Sequence, residues 1–429
     1  MIRKIEALHF RCLRHISREL LPFQVLVGPN ASGKSSFLDT VGFLGDLVHT
    51  GLEAAINNRS PELRDLLWQK NGDAFELAVE LPVPKQKNDI FDHPEYDCCR
   101  YEVSIGSLPD SGESAILAER VLLLPASVEA EEEAEQQTLF PADRITPDTL
   151  AARRGRGVKT VVNKVPGGND KFYDETGTGW DHSFKLGPQR SALANLPEDE
   201  SRFPIATWLK RTLNDGIRPI ALNSKRMRQP TPPGQSAKFQ SDGSNLPRIV
   251  SGLAEKDPQK FSHWIQHIQA VLPELRNIEV VERPEDRHLY LVIHFTPDLR
   301  VPSWMVSEGT LRLLALTLPA FLEDFEGTYL IEEPENGLHP RAVESVLAAL
   351  SSTTGGQVLL TTHSPVVIST VAAEQVLCFS KTDSGATDVI PSSENPALRA
   401  WRGDPNLGIL FADAYMSQSR SAKKVDAPD

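Results

Sequence analysis

Cysteine is scarce in this chain, with four residues in 429, at positions 12, 98, 99 and 378. None forms a C-x-x-C pair, and adjacent Cys98 and Cys99 are poorly placed to bridge each other. A disulfide framework and a cysteine-rich metal site are therefore excluded, and reduced thiols in a cytoplasmic protein are expected. A long apolar run is missing too. The longest, LRLLALTLPAFL, is interrupted by Arg312 and Pro319 and is too short to cross a bilayer. MIRKIEALHF is broken by Glu6 and His9 and reads as a strand, not as a secretory segment. No membrane association is expected. Basic excess is also lacking. Lys and Arg number 45 against 58 Asp and Glu, a net charge of −13, which excludes a general basic surface for nucleic acid or anionic lipid. A local basic patch stays open. Neither an internal repeat nor a long heptad run is visible.

The chain is long enough to bury a full core and to hold two or more domains. IEALHF and LPFQVLV alternate as paired strands do, and FELAVEL, YEVSIG and RVLLLP continue the pattern. The composition then shifts. EAEEEAEQQ (129–137) reads as a solvated linker, ARRGRGVK is basic, and residues 228–244 have the turn chemistry of a loop. Helical periodicity returns from Leu246. The last third alternates uniformly apolar strands (TYLIEE, QVLLTTH, EQVLCFS) with helices, as in a parallel sheet covered on both faces. The expected organisation is an α/β head in two halves, 1–124 and 245–415. A smaller insertion at 125–244 and a disordered tail at 416–429 complete it.

Two distant stretches carry the chemistry. Gly28-Pro-Asn-Ala-Ser-Gly33-Lys34-Ser35 fits the phosphate-loop pattern G-x-x-x-x-G-K-[ST], with an apolar strand before it and a helix after it. Its glycines let backbone N–H groups surround phosphate, and the helix N-terminus adds a favourable dipole. Gly28, Asn30, Ala31, Ser32, Gly33, Lys34, Ser35 and Ser36 are the expected contacts to ATP, with Lys34 on the terminal phosphates and Ser35 on Mg²⁺. The second stretch is YLIEEPENGLHP. Neighbours on a strand face opposite ways, so Glu332 and Glu333 are expected to differ in role. Glu332 would hold Mg²⁺ and Glu333 would accept a proton from, or orient, the attacking water.

Three further sites are open to two readings each. Ser307-Glu-Gly309-Thr310 precedes a helix, and either hydroxyl would serve as its N-cap. His363 ends a buried strand, where it could meet a terminal phosphate or be structural. Gln69 could contact metal or water, or be a surface residue. The basic segments 153–164 and 210–228 could touch nucleic-acid phosphates or be solvated loops.

Taken together, the strand end Phe10-Arg11, GPNASGKSS, DGSNLP, SEGTLRLLAL, IEEPENGLHP and TTHSP resemble the ABC class of ATPases. The likeness is to its soluble RecF/SMC/OLD-type branch, often labelled AAA-type. The resemblance covers nearly the whole chain. It implies a P-loop fold with a central, mostly parallel sheet, antiparallel N-terminal strands and a smaller inserted subdomain. It also implies a homodimer, or a higher even oligomer, in which two heads enclose two ATP molecules. Ser307 and Gly309 of one chain would then cap the phosphate held by Lys34 of the other. Glu335, Asn336 and Gly337 would lie in the loop that speaks across the dimer, His363 would be the switch histidine, and Arg11 would join the nucleotide contacts. The chain departs from the pattern in three ways. Glu332 stands where transporters carry Asp, coiled-coil arms are missing, and the roughly 65 residues after His363 lack the acidic clusters of a Toprim nuclease. A separately encoded, nuclease-like effector and sensing of DNA or RNA are the expected setting. The energising subunit of a membrane transporter is the alternative. A guanine-specific site has no support, because Pro166 stands where N-K-x-D needs Asp.

Overall fold

The computed structural model describes residues 1–85, 96–125, 146–151, 157–177, 179, 181–322, 327–382 and 384–394. The acidic run at 129–137, the start of the basic segment at 153–156 and the tail at 416–429 lie outside the described residues. The described residues form two compact units, one within 1–21, 35–217 and 381–388, the other within 22–34, 218–380 and 389–394.

The first unit is organised by an antiparallel sheet of eight strands in the order β2-β1-β4-β5-β6-β7-β8-β9. These are β1 (Lys4–Phe10), β2 (Leu13–Glu19), β4 (Ala74–Pro82), β5 (Tyr96–Ser107), β6 (Ser114–Pro125), β7 (Lys159–Lys164), β8 (Asp170–Phe172) and β9 (His182–Phe184). Within the stretch 125–244, residues 159–184 thus extend this sheet, while 218–244 belong to the second unit. Alternation along β1 and β4 sends Phe10 and Phe75 to the apolar face. There they meet Phe43 of helix α1 (Lys34–His49), with ring centroids 5.0 to 5.9 Å apart. The other face is polar yet covered. Arg100 donates to Glu80 at 2.7 Å, to Glu102 at 2.9 Å and to the Leu150 carbonyl at 2.9 Å, and it also pairs with Glu6. Burial works against that guanidinium's charge, and Glu6, Glu102 and Glu80 outweigh it.

Helix α2 (Leu52–Asn57) follows α1, and α3 (Pro204–Gly216) is capped by a carboxylate from afar. Glu175 Oε2 accepts from Ile205 N and Oε1 from Ala206 N, each at 2.7 Å. Burial pushes this carboxyl up from 4.5 to about 7, against those two donors and Lys159. A carboxyl whose folded value lies above its unfolded one keeps its proton longer when folded. Stability is therefore lost as pH rises from about 4.5 to 7, by at most about 1.4 kcal/mol per pH unit. Urea unfolding of Glu175→Gln is expected to show a smaller loss than wild type over that window. Parallel pH profiles would remove Glu175 as the source.

The second unit holds a six-stranded sheet in the order β10-β14-β15-β3-β16-β17. Its strands are β3 (Phe23–Val27), β10 (Ile217–Ile220), β14 (Gly327–Glu332), β15 (Gly356–Thr362), β16 (Val376–Lys381) and β17 (Thr387–Pro391). The four central strands run parallel, and their register sets Glu332 beside Thr361 and Thr362 beside Val27. The carboxyl ends of β14, β15 and β3 therefore share one edge, where ligands bind in open α/β sheets. The short helix α4 (Ser224–Met227) precedes α5 (Leu246–Lys256) and α6 (Pro258–Gln269), which are separated at Asp257-Pro258. Then come α7 (Glu308–Thr317), α8 (Pro340–Ser351) and α9 (Pro365–Thr370). Apolar faces of these helices and of β14, β15 and β3 form one core, in which buried Trp264 donates to Thr317 Oγ1 at 2.9 Å. A separate three-stranded sheet, β11 (Leu275–Glu282), β12 (Leu289–Phe295) and β13 (Leu299–Pro302), leads into α7.

Candidate nucleotide site

β3 is buried at all five positions and ends at Gly28. A Cβ on Gly28 would lie 2.4 Å from the Phe379 carbonyl oxygen, so glycine is required for the loop to leave between β3 and β16. Ala31 (φ 61°) and Gly33 (φ 104°) then turn the backbone through the left-handed region. Lys34 folds back over its own loop, where Nζ donates to the Gly28 carbonyl at 2.6 Å and to the Pro29 carbonyl at 2.8 Å. Burial lowers the pKa of this ammonium, and Glu333, Glu332 and Glu335 act in the opposite direction. Ser32 Oγ is buried with no hydrogen-bond partner among the described residues, and Asn30 and Ala31 are exposed. A cation, an unsatisfied hydroxyl and a curled backbone fit a polyphosphate.

The carboxylates meet this loop from β14. Strand alternation does not separate their roles as the sequence suggested, because β14 stops at Glu332 and Glu333 takes a left-handed φ of 47°. Glu333 N still donates to the Thr361 carbonyl at 2.9 Å. Its side chain is held from two sides. Oε1 lies 3.1 Å from His363 Nδ1, and Oε2 accepts from Asn336 Nδ2 at 2.7 Å. Strain of this kind gathers at functional positions. Glu332 is exposed at the strand end. Glu335 Oε1 accepts from Thr362 Oγ1 at 2.6 Å, which ties the acidic turn to the end of β15. Among the described residues no group of three or more His, Cys, Asp or Glu could hold a metal.

Sequence reasoning missed the orienting role of Asn336, although an acid and an amide three residues apart across Pro334 were there to be read. The structure brings Lys34, Glu332, Glu333 and His363 together at this edge. Ser307 and Gly309 lie at the start of α7. Ser307 is the N-cap there, accepting from Thr310 N at 3.2 Å. A Cβ on Gly309 would lie 2.9 Å from the Gly337 carbonyl oxygen, so this turn packs against the loop that follows Glu333.

In the first unit, Arg11 (φ 52°) makes the β1–β2 turn and pairs with Asp39 at 3.0 Å. Ser35 is exposed near the start of α1, and Ser36 Oγ accepts from Cys12 Sγ at 3.3 Å. Gln69 (φ 52°) reaches the Ser384 carbonyl at 3.5 Å. It lines a cleft of about 410 Å³ with Arg11, Cys12, Trp68, Lys70 and Ser384. Several of the basic residues considered for nucleic acid are used internally. Lys164 is buried on Asp170 at 2.8 Å, Lys159 donates to the Glu175 carbonyl, Arg211 pairs with Glu200 and Arg226 with Asp242.

Residues 159–369 match the family described as "AAA domain, putative AbiEii toxin, Type IV TA system". No curated protein matches the chain. Among solved structures, an Smc head bound to the C-winged helix domain of ScpA is 16% identical with a TM-score of 0.51. The match covers 91% of this chain and 96% of that one. An Smc head with an extended coiled coil, bound to the C-terminal domain of ScpA from Pyrococcus furiosus, gives 14% and 0.49 over 91% and 95%. The SMC head domain from Thermotoga maritima gives 11% and 0.42 over 91% and 98%. The fold likeness rests on the first of these. No helix among the described residues is long and apolar enough to cross a membrane. The chain therefore has the α/β P-loop fold of an Smc head, with a phosphate loop and a paired acidic strand end on it, and its residues 159–369 are similar to the AAA domain family.

Proposed function

We propose that the chain binds and hydrolyses ATP and works as a switch in which two copies close around two nucleotides. The observation that carries this reading is the carboxylate of Glu333, gripped by His363 and Asn336 beside the buried ammonium of Lys34. A base for water has to be oriented before it can be useful, and two side chains orient this one. Lys34 exchanges its two loop carbonyls for phosphate oxygens. Ser32 supplies a hydroxyl and the loop N–H groups supply further donors. Ser35 and Glu332 are the proposed holders of Mg²⁺, which when bound offsets charge on the terminal phosphates. Gln69 and Arg11 are proposed as further contacts on sequence grounds. Ser307 and Gly309 are proposed to cap the phosphate of the partner copy. ATP would then stabilise the closed pair, and hydrolysis would release it.

The proposed setting is the cytoplasm, in control of a separately encoded nuclease-like effector, with DNA or RNA as a possible trigger. The family's description, which names a toxin–antitoxin system, supports a regulatory setting of this kind. The test is the mass of Glu333→Gln by light scattering. Doubling on addition of Mg·ATP is expected. Unchanged mass in a protein that binds ATP tightly as a monomer would overturn the closed pair.

A further inference from the structure

Arg228 directly follows helix α4, and its side chain forks onto a single carbonyl. Nη2 donates to Val306 O at 3.1 Å and Nε at 3.4 Å. Val306 is buried and is the residue before Ser307. Neither end of this tie can drift. Met227, next to Arg228, is 1% exposed and lies in the same core cluster as Leu311 and Leu314 of α7. Downstream, Thr231 exchanges both backbone hydrogen bonds with Leu289, at 2.7 and 2.9 Å. The Asn245 side chain then gathers the loop, accepting from Gln240 N and donating to the carbonyls of Ser236 and Lys238.

The consequence follows from peptide geometry. A peptide unit is planar, with its C=O and N–H on opposite sides. Fixing the Val306 carbonyl therefore fixes the direction of the Ser307 N–H and the entry of the chain into α7. Ser307 has extended dihedrals (φ −60°, ψ 151°), and its own hydroxyl is engaged on Thr310. The cap of α7 thus orients the turn internally, while Arg228 orients it against the rest of the unit. A lysine could keep the charge but not the two-nitrogen fork.

We propose that Arg228 is a positioning residue for the Ser307–Gly309 turn, setting the orientation in which that turn meets a phosphate held by a second copy of the chain. This rests on the closed-pair reading above.

The experiment uses the full chain in the Glu333→Gln background. It measures Mg·ATP affinity at protein concentrations too low for association, and separately the dissociation constant of the ATP-dependent pair. Arg228→Ala is expected to bind ATP within twofold of its parent and to associate about tenfold more weakly. Arg228→Lys should recover only part of that loss. Adding Arg228→Ala to Ser307→Ala should weaken association no further, since both act through one turn. The inference is overturned if both Arg228 variants associate like the parent. It is also overturned if the losses from Arg228→Ala and Ser307→Ala multiply, or if ATP affinity falls in step with association in Arg228→Lys as well as in Arg228→Ala. A parent that fails to associate with Mg·ATP removes the closed pair itself, and is seen before any Arg228 variant is made.

Discussion

Glu333→Gln is expected to lower ATP turnover by about 10²–10⁴-fold, the usual contribution of a positioned general base, while leaving ATP affinity close to wild type. Glutamine keeps the size of the side chain and an oxygen for Asn336 Nδ2, which now reaches Glu333 Oε2 at 2.7 Å. It cannot take a proton. The loss should therefore appear in turnover and not in binding. Steady-state phosphate release, read beside an equilibrium titration with ATP, separates the two. Normal turnover would take the role from Glu333 and pass it to Glu332, which is exposed one residue earlier at the end of β14.

Lys34→Ala is expected to weaken Mg·ATP binding by a hundredfold or so, or more. One charge-assisted hydrogen bond contributes about 1.5–3 kcal/mol, or roughly 10–150-fold. Here the electrostatic surroundings add to that. Lys34 shares its neighbourhood with Glu333, Glu332 and Glu335, all of which act on its ammonium. Without the lysine, three carboxylates face an incoming polyphosphate with no compensating cation. The loop backbone itself should survive, because its turns are set by Gly28, Ala31 and Gly33 and not by the lysine. Calorimetric titration of the variant against wild type measures the loss. Affinity retained at the wild-type level would mean that this loop does not hold the phosphates.

Much of the second unit could be read from the letters, because its signals are local and repeat. FQVLV, TYLIE and GQVLLTT each carry a run of apolar residues, every position but Glu332 is buried as in a strand covered on both faces, and each ends where a motif begins. The first unit was less legible. β2 (LRHISRE) carries four charged or ionisable side chains in seven residues, so its place beside β1 rests on pairing rather than on an apolar pattern. Likewise, nothing in the pattern marks Arg100, Glu80 and Glu102 as buried, yet all three are, joined with half-buried Glu6 in one ion-pair cluster. Periodicity reports burial, and it fails where burial is satisfied by ion pairs. At the site itself, the residue types and their order were enough to bring Lys34 together with Glu332, Glu333 and His363. Asn336 was not, because a side chain that reorients an acid leaves no periodic trace. Nor could composition foretell that Glu333 would turn out of the strand, since a left-handed φ on glutamate is a property of the turn and not of the residue.

The pairing of β3 bears on how the chain is made. This strand of five buried residues leaves the ribosome long before its partners, β15, which starts at Gly356, and β16, which starts at Val376. At about 5–20 residues per second, translation keeps β3 waiting for tens of seconds with its hydrogen-bonding edges open. During that time the Gly28–Lys34 loop has no sheet to hang from and no acidic strand end opposite it. A nascent chain therefore lacks the assembled loop until β15 and β16 have been synthesised. The same delay leaves β3 with its edges uncovered, a segment for a chaperone to shield until its partner strands are made.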